Sequence, residues 1–88
     1  MVYIIKLNET RKGESFPFQQ ELMWACSLEE SKKLREKWLS SQPEEEQEYF
    51  VREAEILMPH PEKPGVFVNH LHSSSYEENC YFNVNNRH

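Results

Sequence analysis

The chain has 88 residues, with fifteen Glu, no Asp, ten Lys and Arg, and a net charge of −5. A chain this short folds around one core and has no material for a large internal cavity. The charge has the wrong sign for phosphate neutralisation, which argues against direct nucleic-acid binding, and the lack of Asp removes a residue central to calcium loops and metal-assisted phosphoryl transfer. No apolar run approaches the roughly 20 residues that span a bilayer.

The hydrophobic fraction is 38%, with two Trp, four Tyr and five Phe. This predicts a small core built on rings: Trp24, Trp38, Tyr49, Phe50 and Phe67. Cys26 and Cys80 are too few and too far apart for a disulfide framework. No apolar signal segment stands at the N-terminus, so a reduced, cytoplasmic setting is expected.

In chain order, residues 2–7 read as a strand with both faces partly apolar: Val2, Ile4 and Lys6 on one, Tyr3, Ile5 and Leu7 on the other. That pattern suits a central strand. Residues 8–15, NETRKGES, carry turn chemistry with Gly13 available for positive φ. Phe18–Ala25 then returns as a second strand, with Leu22 and Trp24 on one face and Met23 and Ala25 on the other. Pro17 marks its start.

Ser27-Leu28-Glu29-Glu30 is a capping box. The Ser27 side chain accepts from the Glu30 N–H, and the Glu30 carboxylate returns to the Ser27 N–H. The helix that follows carries Leu28, Leu34, Trp38 and Leu39 in one stripe and ends at Ser40-Ser41-Gln42-Pro43. Residues 43–58 fit two patterns: a helix opened by Pro43, or an acidic linker followed by a strand from Tyr49. The density of apolar residues favours the strand.

The succession of Tyr3-Ile4-Ile5, the Ser27–Glu30 cap and Tyr49-Phe50-Val51-Arg52-Glu53-Ala54-Glu55-Ile56 resembles a group of small uncharacterised domains from bacteria and their phages. Those domains run from an N-terminal hairpin through a Ser-x-Glu-Glu helix into an aromatic-rich strand. The resemblance covers residues 2–58, implies a strand over 49–56 and a phage or mobile-element setting, and brings no catalytic residues with it.

Pro59–Gly65 holds three prolines and reads as a stiff loop. Two strands follow, Val66–His72 and Cys80–Val84, joined by the loop SSSYEEN. The chain is thus one domain, 1–88: a hairpin-helix-strand unit over 1–58, the loop 59–65, and a strand pair over 66–88. The fold class is α+β, with a small mixed or antiparallel sheet of four to five strands and one helix on one face. Leu34 and Trp38 are expected to pack on Ile4, Leu22, Trp24 and Ile56.

Three sets of residues are candidates for function. Glu44, Glu45, Glu46 and Glu48 concentrate negative charge. With Phe16, Phe18, Tyr76 and Tyr81 as ring anchors in or near loops, they fit a surface that binds a protein partner. The ordinary reading of the same residues is a solvated linker and a set of core rings.

His70 and His72, two apart on a strand, lie on one face about 7 Å from each other. With Cys80 folded back by the hairpin, and His60 or His88 as a fourth donor, they form a possible metal set. Histidines facing water at a sheet edge need no metal, and the spacing matches no common zinc pattern.

Cys80 or Ser73–Ser75 beside these histidines would be needed for a hydrolase or nuclease, yet no nucleophile elbow accompanies them. Cys26 is expected to be a buried, inert thiol. The sequence therefore points first to a non-enzymatic protein-binding or inhibitory module without a cofactor, directed at a host or defence protein. Its exposed strand edges permit homodimer formation. A metal-binding regulatory protein is the second reading.

Overall fold

The computed structural model describes residues 2–72 and 81–83. Five strands, β1 (Tyr3–Arg11), β2 (Gln19–Ala25), β3 (Phe50–Pro59), β4 (Val66–Asn69) and β5 (Tyr81–Asn83), form one sheet in the order β2-β1-β3-β4-β5. Every neighbouring pair is antiparallel, and one helix, α1 (Leu28–Ser40), lies on one face. This is the α+β architecture that the apolar periodicities predict.

β1 is central because both its faces are apolar. It pairs with β2 from Tyr3↔Ala25 to Glu9↔Gln19, and with β3 from Ile4↔Leu57 to Arg11↔Phe50. β2 and β3 are therefore parallel to each other with β1 between them, a connection that needs a crossover, and α1 supplies it. The strand runs to Arg11, through residues that composition alone assigns to a turn. Asn8 and Glu9 continue it because partners stand on both sides, Thr10 and Arg11 because β3 pairs with them, and the reversal waits for Lys12-Gly13, where Gly13 has φ 91° and the Glu14 N–H bonds the Arg11 carbonyl at 3.0 Å.

The main core lies between α1 and the sheet: Ile5, Leu7, Ala25 and Ala54, with Met23, Leu34, Trp38 and Leu39 packed against them. Leu34 and Trp38 do face the sheet, but they meet Met23 and Ala25 of β2, not Leu22 and Trp24. The pairing Ile5↔Met23 puts Met23 on the helix side, so Leu22, Trp24 and Ile4 fall on the opposite face. The expected ring-built core is also replaced by an aliphatic one. Ile4, Ile5, Leu7, Ile56, Leu57 and Val68 are buried, whereas Trp24 is 52% and Tyr49 63% exposed.

Of the expected rings, Trp38 alone joins this core, half-buried on the helix side. Ser31 of the helix is wholly buried, its hydroxyl donating to the Ser27 carbonyl at 2.8 Å. The N-cap is as expected in one half: Ser27 Oγ accepts from the Glu30 N–H at 3.1 Å. The Glu30 carboxylate reaches one residue further back than the capping-box pattern predicts, accepting from the Cys26 N–H at 3.1 Å. Cys26 is exposed rather than buried, because β2 ends at Ala25 and the chain lifts off the sheet toward the helix.

Residues 43–58 resolve into a 3-10 turn, Glu44–Glu48, followed by β3. β3 then turns back into β4 through Lys63-Pro64-Gly65-Val66, where Gly65 has φ 80° and the Val66 N–H bonds the Lys63 carbonyl. This is a type II turn, with Pro setting φ at its second position and Gly taking the positive φ at its third. The expected hairpin of the last two strands is present, with Val68 opposite Tyr81.

β4 ends at Asn69, however, and His70–His72 form a 3-10 turn. β4 meets β3 only over Leu57–Pro59, so the outer edge of β3 before Leu57 is capped by side chains. Arg35 Nε donates to the Ala54 carbonyl at 2.8 Å, and His70 Nδ1 lies 3.3 Å from the Ile56 carbonyl.

Candidate functional site

The acidic residues singled out by sequence and two of the four ring anchors, Phe16 and Phe18, meet at one end of the sheet. The Lys12 N–H bonds the Tyr49 carbonyl at 2.9 Å, tying the β1–β2 loop to the chain just after the acidic turn. Phe18 then packs on Phe50, ring centres 5.5 Å apart and tilted by 45°. Each ring also carries a guanidinium: Arg11 lies 4.5 Å from the centre of Phe18, and Arg52 lies 5.3 Å from that of Phe50. A cation over each ring face holds the pair in place.

Arg52 is the post that positions the acids. Its side chain is only 9% exposed, with Nη2 3.4 Å from Glu46 Oε1 and Nε 3.6 Å from Glu9 Oε1. The cross-strand register Glu9↔Arg52 accounts for the second contact. Glu46 is thereby drawn inward, while Glu44, Glu45 and Glu48 of the same turn stay exposed.

Around them stand large apolar side chains in water. Phe16 is 80% exposed, Tyr49 63%, and Phe18 and Val51 are each 41%. A hollow of about 140 Å³ lined by Leu39, Gln42, Gln47, Phe50 and Arg52 opens beside the turn. Its size suits one side chain rather than a substrate. Rings and acids interleaved on one projecting end, with an aliphatic and amide hollow at their base, can dock a protein surface of opposite charge.

Of the binding residues drawn from the sequence, Glu44, Glu45, Glu46, Glu48, Phe16 and Phe18 belong to this end. Tyr81 does not. It lies on β5, its hydroxyl 3.2 Å from His60 Nε2 and its ring edge-on to the imidazole. Tyr76 lies outside the described residues.

Sequence reading missed Tyr49, Val51 and Arg52 as members of the end. A signal for Arg52 was available: it is a charge in the same alternating row as Phe50, Ala54 and Ile56, a position that demands a partner.

The histidine set has a different geometry from the one predicted. β4 ends at Asn69, and His70–His72 form a 3-10 turn rather than the strand on which the pairing was predicted. Cys80 and His88 lie outside the described residues, and among those described no group of three metal-ligand side chains forms. His60 is committed elsewhere, its Nδ1 accepting from the Glu62 and Lys63 N–H groups at 3.0 and 3.2 Å.

His70 borders a groove of about 480 Å³ between α1 and the end of β3, where Lys32, Arg35, Glu36 and Glu55 place both signs of charge. Ser73–Ser75, the proposed alternative nucleophiles, are likewise outside the described residues. No helix among the described residues is long and apolar enough to cross a membrane.

No family model, no curated protein and no solved structure matches the chain.

Proposed function

We propose that this protein is a non-enzymatic binding module that presents the end formed by Phe16, Phe18, Tyr49, Val51 and the Glu44–Glu48 turn to a protein partner. The partner surface is basic with apolar pockets, because the exposed acids give the end its charge and the rings supply the area that is best buried. The observation that carries this reading is the exposure of Phe16 and Tyr49, 80% and 63%, beside an acidic turn that Arg52 anchors through Glu46. Leaving large rings in water on a chain with so small a core costs stability that a partner would return. Occupation of a partner's basic groove would make the module an inhibitor, and a phage or mobile-element setting would supply host or defence proteins as targets.

The test is affinity capture from a host lysate with three baits: the native chain, a Phe16→Ala/Tyr49→Ala variant, and a Glu44→Gln/Glu45→Gln/Glu48→Gln variant. A partner retained by the native chain, lost from the ring variant and weakened in the charge variant at higher salt supports the reading. Equal recovery by all three baits, each with a native thermal melt, removes this end as the docking surface.

A further inference from the structure

The hydrogen bonds around β1 fix which backbone groups of β2 point away from the sheet. The Ala54 and Ile56 carbonyls reach Arg35 and His70, so even-numbered residues of β3 point outward and odd-numbered ones point to β1. The Lys12 N–H to Tyr49 carbonyl bond agrees: an even residue at the end of β1 meets an odd one of β3. Odd residues of β1 must then face β2, and the Phe18 N–H on the Glu9 carbonyl bears this out. Through the pairs Leu7↔Glu21, Ile5↔Met23 and Tyr3↔Ala25, the odd residues of β2 are spent on β1. Gln20, Leu22 and Trp24 each direct an N–H and a C=O outward.

β2 is an edge strand with no neighbour beyond it among the described residues. Edge strands in monomers are usually guarded by Lys, Pro or a bulge. Over Gln19–Ala25 the sequence is QQELMWA, with neither Lys nor Pro. Its one charge is Glu21. Trp24, 52% exposed, stands on the face that α1 leaves open.

We infer that β2 pairs antiparallel with β2 of a second copy of this chain, about a two-fold axis through Leu22. A two-fold normal to the sheet allows only registers in which the paired residue numbers sum to an even value. In the register centred on Leu22, Leu22 faces Leu22, and Gln20 faces Trp24 in both directions. All outward N–H and C=O groups of the three residues are then used, because residues that point their backbones at each other exchange both bonds.

Centring on Glu21 or Met23 leaves part of the outward set without a partner inside the strand. Centring on Glu21 also sets two carboxylates directly opposite each other, which is unfavourable. The Leu22 register instead puts Glu21 opposite Met23. On the open face each Trp24 lies beside Gln20 and, diagonally, Leu22 of the second copy, covering indole that is in water in the monomer. The assembly is a continuous sheet of two chains with α1 of both on one side. Phe18, just beyond β2, falls opposite Cys26 of the second copy, whereas the acidic turn and Tyr49, at the start of β3 two strands from the pairing edge, lie away from it.

The test uses the full chain. Sedimentation velocity over a wide concentration range is expected to show a reversible monomer–dimer equilibrium that tightens with salt, since two chains of charge −5 repel. Gln20→Pro removes an N–H that points outward, sparing the β1 ladder, and deletes both copies of its bond to the Trp24 carbonyl. It is expected to raise the dimer Kd by at least about tenfold with little change in the monomer's circular dichroism.

The register is read separately in a Cys26→Ser/Cys80→Ser background. Under mild oxidation Leu22→Cys cross-links to itself, while Glu21→Cys and Met23→Cys do not. A chain that stays monomeric at millimolar concentration overturns the inference. So does a dimer indifferent to Gln20→Pro, or one in which Glu21→Cys cross-links in preference. None of these outcomes bears on capture of a partner by the other end, so this inference and the binding reading fail independently.

Discussion

Arg52 is a charge placed among apolar neighbours, and removing it leaves Glu9 and Glu46 facing each other across the space it filled. Because those acids are 20% and 39% exposed, they can turn to water, which moderates the penalty below that of a fully buried pair. Arg52→Ala is expected to lower the unfolding free energy by about 2 kcal/mol, measured as a fall in urea midpoint at constant slope, and to loosen the acidic turn.

His60 supports a second prediction at this scale. Two backbone N–H groups donate to its Nδ1, so that nitrogen carries no proton and Nε2 bears the hydrogen that meets the Tyr81 hydroxyl. Long-range proton–nitrogen correlation spectra should show the Nε2–H tautomer. The opposite tautomer would mean that the 60–66 turn is built differently. The rings-and-acids end was legible in part as single residues, because Glu44–Glu48 and Phe16 declare themselves by charge and by position before Pro17. Tyr49 was lost to the core because a lone tyrosine next to an apolar run looks like part of it.

At the level of elements, the most legible piece was α1, since its cap is written in four adjacent residues and needs no tertiary partner. Ser27→Ala should cost about 1 kcal/mol, whereas Ser27→Asp, which keeps an acceptor for the Glu30 N–H, should cost little; thermal melts of the two variants give the comparison. The extension of β1 through Asn8-Glu9-Thr10 was not legible. Those residues are polar, and what keeps them extended is the ladder to β3, joined at Asn8 and Glu9 by the ladder to β2, a long-range cause that local composition does not contain. The strand over 50–59 was legible from its density of apolar residues. The end of β4 at Asn69 was not, and with it went the strand that was to carry His70 and His72. The Asn69 side chain accepts from the Leu71 N–H at 2.9 Å, a local bond that competes with the ladder and turns the chain out of the sheet.

For the molecule as a whole, sequence alternation correctly divided β2 into two faces but did not tell which face the helix covers. That choice follows from the register with β1. Ile5 and Leu7 of β1 lie on the covered face, Met23 and Ala25 share it by register, and the indole of Trp24 is left on the other side.

The same register makes a prediction about the free edge. In dilute solution the amides of Glu21, Met23 and Ala25, bonded to β1, should exchange with solvent far more slowly than those of Gln20, Leu22 and Trp24, giving an alternation along one strand. Raising the protein concentration should slow the even-numbered set and leave the odd-numbered set nearly unchanged, because only the former gain partners when two edges meet. Amide exchange followed by NMR at two concentrations reads both effects. Exchange that is uniform along β2 at low concentration would mean that the outward and inward groups have been assigned to the wrong residues, and the pairing about Leu22 would lose its geometric basis.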